Sequence, residues 1–441
     1  MQPIDLSPYI KAAQQAEPMR VYGRITEITG IMIKATGLKA SVGEACRIYS
    51  DTQMPIDAEI VGFKDSKALL MATGDISWIK PDSRILSLGK KVSIKVGEGL
   101  IGRVINESGQ PIDGKGPISG FSYPLMSVPP NPMLRERISE PMDLGVAAIN
   151  GLLTVGKGQR IGIMSGAGVG KSVLLGMMAK YTRADVNVIA LVGERNREVR
   201  EFIERDLGPE GMRRSVAVVS TSEQSPVAKV KGAFVATAIS EYFRSLGKDV
   251  LLFMDSLTRV AMAQREIGLA VGEPPATKGY TPSVFALLPK LLERAGTQKG
   301  KGSITGLYSV LVEGDDLSDP VADSVMSILD GHIVLSRDLA MENHYPAINI
   351  LRSISRVMPD IINKAHMDVA GRFIEVMSIY KRFEDMINLG AYKEGSNPKV
   401  DYAISMIDRL NAFLKQGMNE PRDFNASVRG LETLFSKSKK E

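Results

Sequence analysis

The segment Ser165-Gly166-Ala167-Gly168-Val169-Gly170-Lys171-Ser172 constrains this chain more than any other. It stands between a strand-like run, Gln159 to Ser165, and a helix-like run from Lys171 to about Tyr181. A glycine-rich turn ending in Lys-Ser at a strand-to-helix junction is the setting of a phosphate loop. Glycines let the backbone curl around an anion because positive φ costs them little. The exposed N–H groups and the helix N-terminus then face the phosphates. Lys171 supplies a point charge, and Ser172 supplies a hydroxyl suited to Mg²⁺. The strict pattern begins with Gly where this chain has Ser165, at the opening of the loop.

The flanking sequence continues the strand–helix alternation. Val186 to Val192, Ser215 to Ser220 and Asp249 to Met254 are apolar strand-like runs. Between them, Asn196 to Asp206 reads as a polar helix, and Ala228 to Leu246 has helical periodicity ending at Gly247. Thr281 and Pro282 form an N-cap and first-turn pair for a helix to about Arg294. Runs of this kind require a parallel sheet covered on both faces.

The chain has 441 residues, more than one core usually supports. Residues 19–89 carry short β-branched runs punctuated by Gly, Asp and Pro, which read as a small β-barrel: Val21 to Ile28, Ile31 to Lys34, Arg47 to Tyr49, Ile56 to Phe63 and Ala68 to Met71. Residues 90–359 form the α/β core. Residues 360–441 read as helices, with a turn at Gly390 to Asn397. Residues 1–18 form an arm in which Leu6 to Gln15 suits a short amphipathic helix. Lys437, Lys439 and Lys440 make a basic tail, best read as a solvated terminus.

Composition narrows the classes. Against 55 Lys plus Arg stand 50 Asp plus Glu, which does not argue for nucleic acid. With one Cys (Cys46) and three His, a disulfide framework and a zinc site are both disfavoured, and a reducing compartment fits. No apolar run approaches the roughly 18 residues of a membrane span, and Met1 to Arg20 lacks the pattern of a secretory signal.

Two carboxylates fall where strands end. Asp255 closes Val250 to Met254, at the carboxyl edge of the sheet, where it can hold Mg²⁺ through water. Glu194 follows the strand ending at Val192 and suits a base or orienting group for an attacking water. A plain surface carboxylate within a charged stretch is an equally good reading of Glu194.

With these residues in place, the sequence resembles the flagellar and type III secretion export ATPases, relatives of the catalytic β subunit of F-type ATP synthases. The resemblance rests on Ser165 to Ser172, Gly193 to Val199, Met254 to Arg259, Glu313 to Asp316, Leu329 to Ser336 and Tyr345 to Arg356. Gln264 to Pro275 and Thr277 to Phe285 are worded more like flagellar members. The resemblance implies a RecA-like ATPase that takes ATP and Mg²⁺. Gly166, Gly168, Val169, Gly170, Lys171, Ser172 and Val173 would hold the nucleotide, and Ser172 and Asp255 the metal. Glu194 would activate water, with Arg195 and Arg259 near the γ-phosphate. Tyr345 would pack on adenine, and Arg356 would reach a neighbouring subunit's site as an arginine finger. From the residues alone, Tyr345 reads as loop packing and Arg356 as a surface ion pair.

The same resemblance implies a homohexamer serving protein export, cytoplasmic and peripheral at an inner-membrane apparatus. Its partners would be a stator-like regulator, a central stalk, export substrates and chaperones, and a membrane gate, with no nucleic acid. The stretch Ala391 to Val400 is mixed in charge where the synthase β subunit is strongly acidic, so a stalk contact there must differ. An injectisome ATPase is the alternative within the class. Outside it stand a non-catalytic rotary subunit, against which Glu194 argues, and a hexameric RNA translocase. The last would need an aromatic, basic barrel face, whereas residues 19–89 hold only Tyr22, Tyr49, Phe63 and Trp78 as aromatics.

Overall fold

A computed structural model describes Leu6 and residues 20–50, 54–74, 76–312 and 316–436. The expected helix at Leu6 to Gln15, all but Asp316 of the Glu313 to Asp316 motif, and the basic tail lie outside the described residues. The chain divides into two compact units, Met1–Val92 and Ser93–Glu441.

In the first unit, β1 (Tyr22–Thr29), β2 (Met32–Thr36), β3 (Glu44–Tyr49), β4 (Ile56–Lys64), β5 (Lys67–Ala72) and β6 (Arg84–Lys91) close a barrel in the order β1-β2-β5-β4-β3-β6. Ile25, Ile33, Ile48, Ile60, Leu70 and Ile85 fill it, each no more than 1% exposed. Closure leaves no strand edge unpaired. Asp65 and Ser66, both at positive φ, make the two-residue turn between β4 and β5. The sixth strand, absent from the sequence reading, passes the expected limit at Gly89 and pairs β1 with β3. Cys46 lies inside the barrel, where burial pushes its thiol up to about 12.

The second unit adds β7 (Ser93–Val96), β8 (Val104–Asn106), β9 (Phe121–Pro124), β10 (Arg160–Ser165), β11 (Val186–Val192), β12 (Ser215–Ser220), β13 (Val250–Asp255), β14 (Gly296–Thr297), β15 (Ser303–Leu311), β16 (Gly331–Val334) and β17 (Ile354–Ser355). Strands β7 and β9 form a separate ribbon. The main sheet runs β17-β16-β10-β15-β13-β11-β12-β8, parallel from β16 to β8. Every residue of β11, β12 and β13 is buried, as a sheet covered on both faces requires.

Two helices depart from the sequence reading. The polar helix expected to Asp206 is α-helical only over Asn196–Glu201, then widens to a π-helical turn, Phe202–Leu207, that buries Phe202, Asp206 and Leu207. That turn packs so closely on the helix Lys171–Tyr181 that a Cβ at Gly176 would sit 2.8 Å from the Asp206 carbonyl oxygen. The helix Pro282–Leu292 starts as expected, but Thr281 makes no capping bond, its hydroxyl pairing with that of Ser283. This helix stops short of Arg294, which turns inward to a buried ion pair with Glu241 at 2.6 Å.

The C-terminal helices are Lys364–Asn388, Pro398–Leu414 and Phe424–Phe435. The turn between the first two uses Gly390 and Gly395 at positive φ, and Asn397 caps the second. Phe373, Val376, Leu410, Phe413 and Leu431 join one apolar core with Ile149, Leu152, Leu174 and Met178, so these helices pack directly on the elements behind the glycine loop.

Candidate functional site

Strand β10 ends at Ser165, which is 2% exposed and accepts a hydrogen bond from Val312 N–H. Ser165 therefore still belongs to the strand, with ordinary backbone, and a small side chain serves there as well as Gly. The left-handed conformations fall on Gly168 and Gly170, with φ of 76° and 83°. Val169, 1% exposed, pins the loop to the core between them. The helix opens at Lys171, with Ser172 exposed, so the first-turn N–H groups face the loop.

The register of the sheet gathers the charged groups. Strand β15 lies between β10 and β13, and β11 follows β13. Asp255, at the end of β13, receives Lys171 Nζ at 2.5 Å on Oδ1. The same oxygen accepts the Ser309 hydroxyl of β15 at 2.5 Å. Glu194, just past β11, stands 3.9 Å from Lys171 Nζ. Burial first, then the charge of Asp255, pushes the Glu194 carboxyl up to about 7 against the opposing pull of Lys171. Burial drives the Lys171 ammonium down, but Asp255 and Glu194 outweigh it and hold it above the ordinary lysine value. The Asp255–Ser256 peptide is cis.

Gly193 has φ of 74°, and a Cβ there would meet the Arg259 Cβ and Cγ at 2.9 Å. The bare backbone thus lets the Arg259 stem cross beside Glu194. Likewise a Cβ at Gly170 would meet Tyr345 Cε1 at 3.2 Å, so the Tyr345 ring lies on the phosphate loop itself. Tyr345 as a residue is 41% exposed.

Two of the expected site residues lie apart. The Arg195 guanidinium pairs with Glu198 at 3.4 Å and is 76% exposed, turned along its own helix. Arg356 follows β17 at the far end of the sheet. Its N–H bonds the Asp330 carbonyl, whose residue in turn bonds Arg160, the first residue of β10. The loop begins after Ser165, roughly 17 Å further along the strand at about 3.3 Å per residue. Arg356 cannot reach the loop of its own chain. Ser309 is missed by the sequence reading because no motif marks it; its one signal is a hydroxyl inside the run Leu307 to Val312.

The oxygens assembled here are hard donors: the Ser172 hydroxyl and the carboxylates of Asp255 and Glu194. They suit Mg²⁺, which takes one or two protein oxygens and the rest from phosphate and water. Among the described residues no ready-made cluster of three metal-binding side chains occurs.

Residues 145–355 match the ATP synthase alpha/beta family, nucleotide-binding domain. Residues 362–433 match the T3SS EscN ATPase C-terminal domain. The flagellum-specific ATP synthase of Bacillus subtilis is 53% identical over 96% of this chain and 98% of its own length. The type 3 secretion system ATPase of Xanthomonas euvesicatoria is 49% identical over 95% of this chain and 94% of its own. The solved structure of the assembled ATPase EscN in complex with its central stalk EscO, from the type III secretion system of enteropathogenic E. coli, superposes with a TM-score of 0.86. It is 42% identical and covers 93% of this chain and 99% of that one.

Proposed function

The chain belongs to the flagellum-specific and type III secretion ATPases of the ATP synthase alpha/beta family, and on that footing we propose that it hydrolyses ATP, as a homohexameric ring, to energise protein export through a flagellar secretion apparatus. The observation that carries the catalytic part is Lys171, Asp255 and Glu194 converging beside the phosphate loop, at the carboxyl ends of β13 and β11.

The loop N–H groups of Gly166 to Gly170 and the opening turn, Lys171 to Val173, take the phosphates. Lys171 turns from Asp255 to the β- and γ-phosphate oxygens, which frees the carboxylate. Ser172 and Asp255 would hold Mg²⁺, which would supply neutralisation of phosphate charge. Glu194 orients the attacking water and takes its proton; a carboxyl poised near the working pH is suited to that. Arg259, its stem already beside Glu194, turns to the γ-phosphate, and Arg195 joins it on leaving Glu198. Tyr345 stacks on the base. Arg356 completes the site of the neighbouring copy, since the sheet separates it from its own.

The stalk complex of the EscN relative supports a central-stalk partner here, to which we assign the turn 389–397, where Leu389 is 81% exposed. A stator-like regulator, chaperoned substrates and a membrane gate complete the set, with the ring cytoplasmic and peripheral. No helix among the described residues is long and apolar enough to cross a membrane.

Deleting the gene in its own organism and scoring motility and secreted filament protein tests the assignment. Loss of both, restored by the native chain and not by Glu194→Gln, is expected. Motile, secreting cells carrying only Glu194→Gln would reject it.

A further inference from the structure

The Tyr345 ring lies against Gly170 on one side, and its backbone is held from another. Its carbonyl accepts the N–H of Gln416 at 2.9 Å. Gln416 lies just past the helix Pro398–Leu414 and is 5% exposed. Its side-chain amide is used on both atoms. Oε1 accepts Ala147 N–H at 2.8 Å, and Nε2 donates to the carbonyls of Gly145 at 2.8 Å and Glu420 at 2.6 Å. Gly145 in turn has φ of 71° and leaves no space for a side chain against Tyr181, the last residue of the helix that starts at Lys171. The Tyr181 hydroxyl closes the circuit by donating to Met418 O at 3.2 Å.

We infer that Gln416 is a positioning residue for nucleotide binding: its amide fixes the 415–420 loop to the segment 145–147, and the loop's backbone thereby fixes Tyr345 against the phosphate loop. Any residue at 416 except proline supplies a backbone N–H. Only a buried primary amide of this length supplies one acceptor and two donors to three backbone groups at once. Without them the loop keeps the Tyr181 hydroxyl on Met418 and the Arg422 N–H on Gly145 as ties to this region, and the Tyr345 carbonyl is held by a more loosely fixed segment. The same contact ties the C-terminal helices to the nucleotide pocket. The inference rests on the reading of Tyr345 as the base platform.

The test uses the full-length ring, with Gln416→Met, Gln416→Glu and Tyr345→Ala singly and in pairs. Gln416→Met removes every side-chain bond. Gln416→Glu keeps the acceptor but sets a carboxylate against two carbonyls. The readouts are KM and kcat for ATP and the dissociation constant of ADP. Each Gln416 variant should raise KM roughly tenfold while kcat stays within about twofold. On the Tyr345→Ala background neither should raise KM further, because the effect runs through Tyr345. An unchanged KM in a folded variant, or an undiminished increase on the Tyr345→Ala background, would overturn the inference. If Gln416→Met is too unstable to assay, Gln416→Glu carries the same comparison. Tyr345→Ala with unaltered KM and ADP affinity would sink the base-platform reading itself, a result distinct from failure at Gln416.

Discussion

Lys171 and Asp255 meet at 2.5 Å across the gap between the glycine loop and the end of β13, and Ser309 shares the same carboxylate oxygen. The cation we assign to phosphate and the carboxylate we assign to metal are thus each other's partners here. Under that assignment a bound nucleotide and ion would replace one internal pair by two external ones, with neither charge left buried alone.

Asp255→Asn should keep the fold and remove the metal-holding charge. We expect kcat to fall on the order of 100-fold or more. The Mg²⁺ concentration for half-maximal activity should rise as well. Steady-state hydrolysis across an Mg²⁺ titration checks both.

Glu194 gives a pH signature. In the nucleotide-free fold its carboxyl ionises near about 7 instead of 4.5. Between those values the native state keeps a proton that the unfolded chain has released, so stability falls as pH rises through the window. Denaturant titrations should show that slope in the native chain and its absence in Glu194→Gln. The kcat/KM for ATP, which reports the free enzyme, should run the other way and rise with pH through the same window, because the carboxylate is the form assigned to take the water's proton.

Arg356→Ala should bind nucleotide normally and lose a factor of about 10³ or more in hydrolysis. Mixed with Glu194→Gln, itself inactive, it should regain measurable activity. A ring holding both variants contains sites with an intact Glu194 and an intact neighbouring Arg356. Mixtures no more active than their components would defeat action between subunits.

Arg294 and Glu241 form a buried pair, 1% and 4% exposed at their side chains, with Arg294 also donating to Leu125 O. Removing one partner strands the other's charge. Arg294→Met should cost about 3–5 kcal/mol, and Arg294→Met/Glu241→Leu should recover most of that. Urea midpoints at constant slope read the difference.

The parallel core was legible because buried strands such as Val186–Val192 and Val250–Asp255 are apolar on both faces and end in Gly or Asp. The glycine loop, Glu194 and Asp255 were legible for the same reason, each being fixed by a strand end. Strand β6 was not: Ser87, Gly89, Lys90 and Lys91 dilute its pattern, and closure of the barrel supplies its partners. Arg294 reads only as the end of the helix that starts at Pro282, and nothing local announces Glu241, 53 positions earlier. Ser309 and Gln416 act through contacts distant in sequence, to which periodicity is blind. The π-helical turn at Phe202–Leu207 likewise answers to Gly176 and not to its own residues.

The length of one strand, set between Arg356 and the glycine loop of the same chain, bears on how the cell handles this protein before it is installed. Under the role we propose for Arg356, a lone copy would carry fragments of two different reaction centres and own neither. Newly made copies would then circulate without draining the nucleotide pool, with turnover beginning only where a ring closes, and whatever nucleates that closure would also decide where fuel is burned.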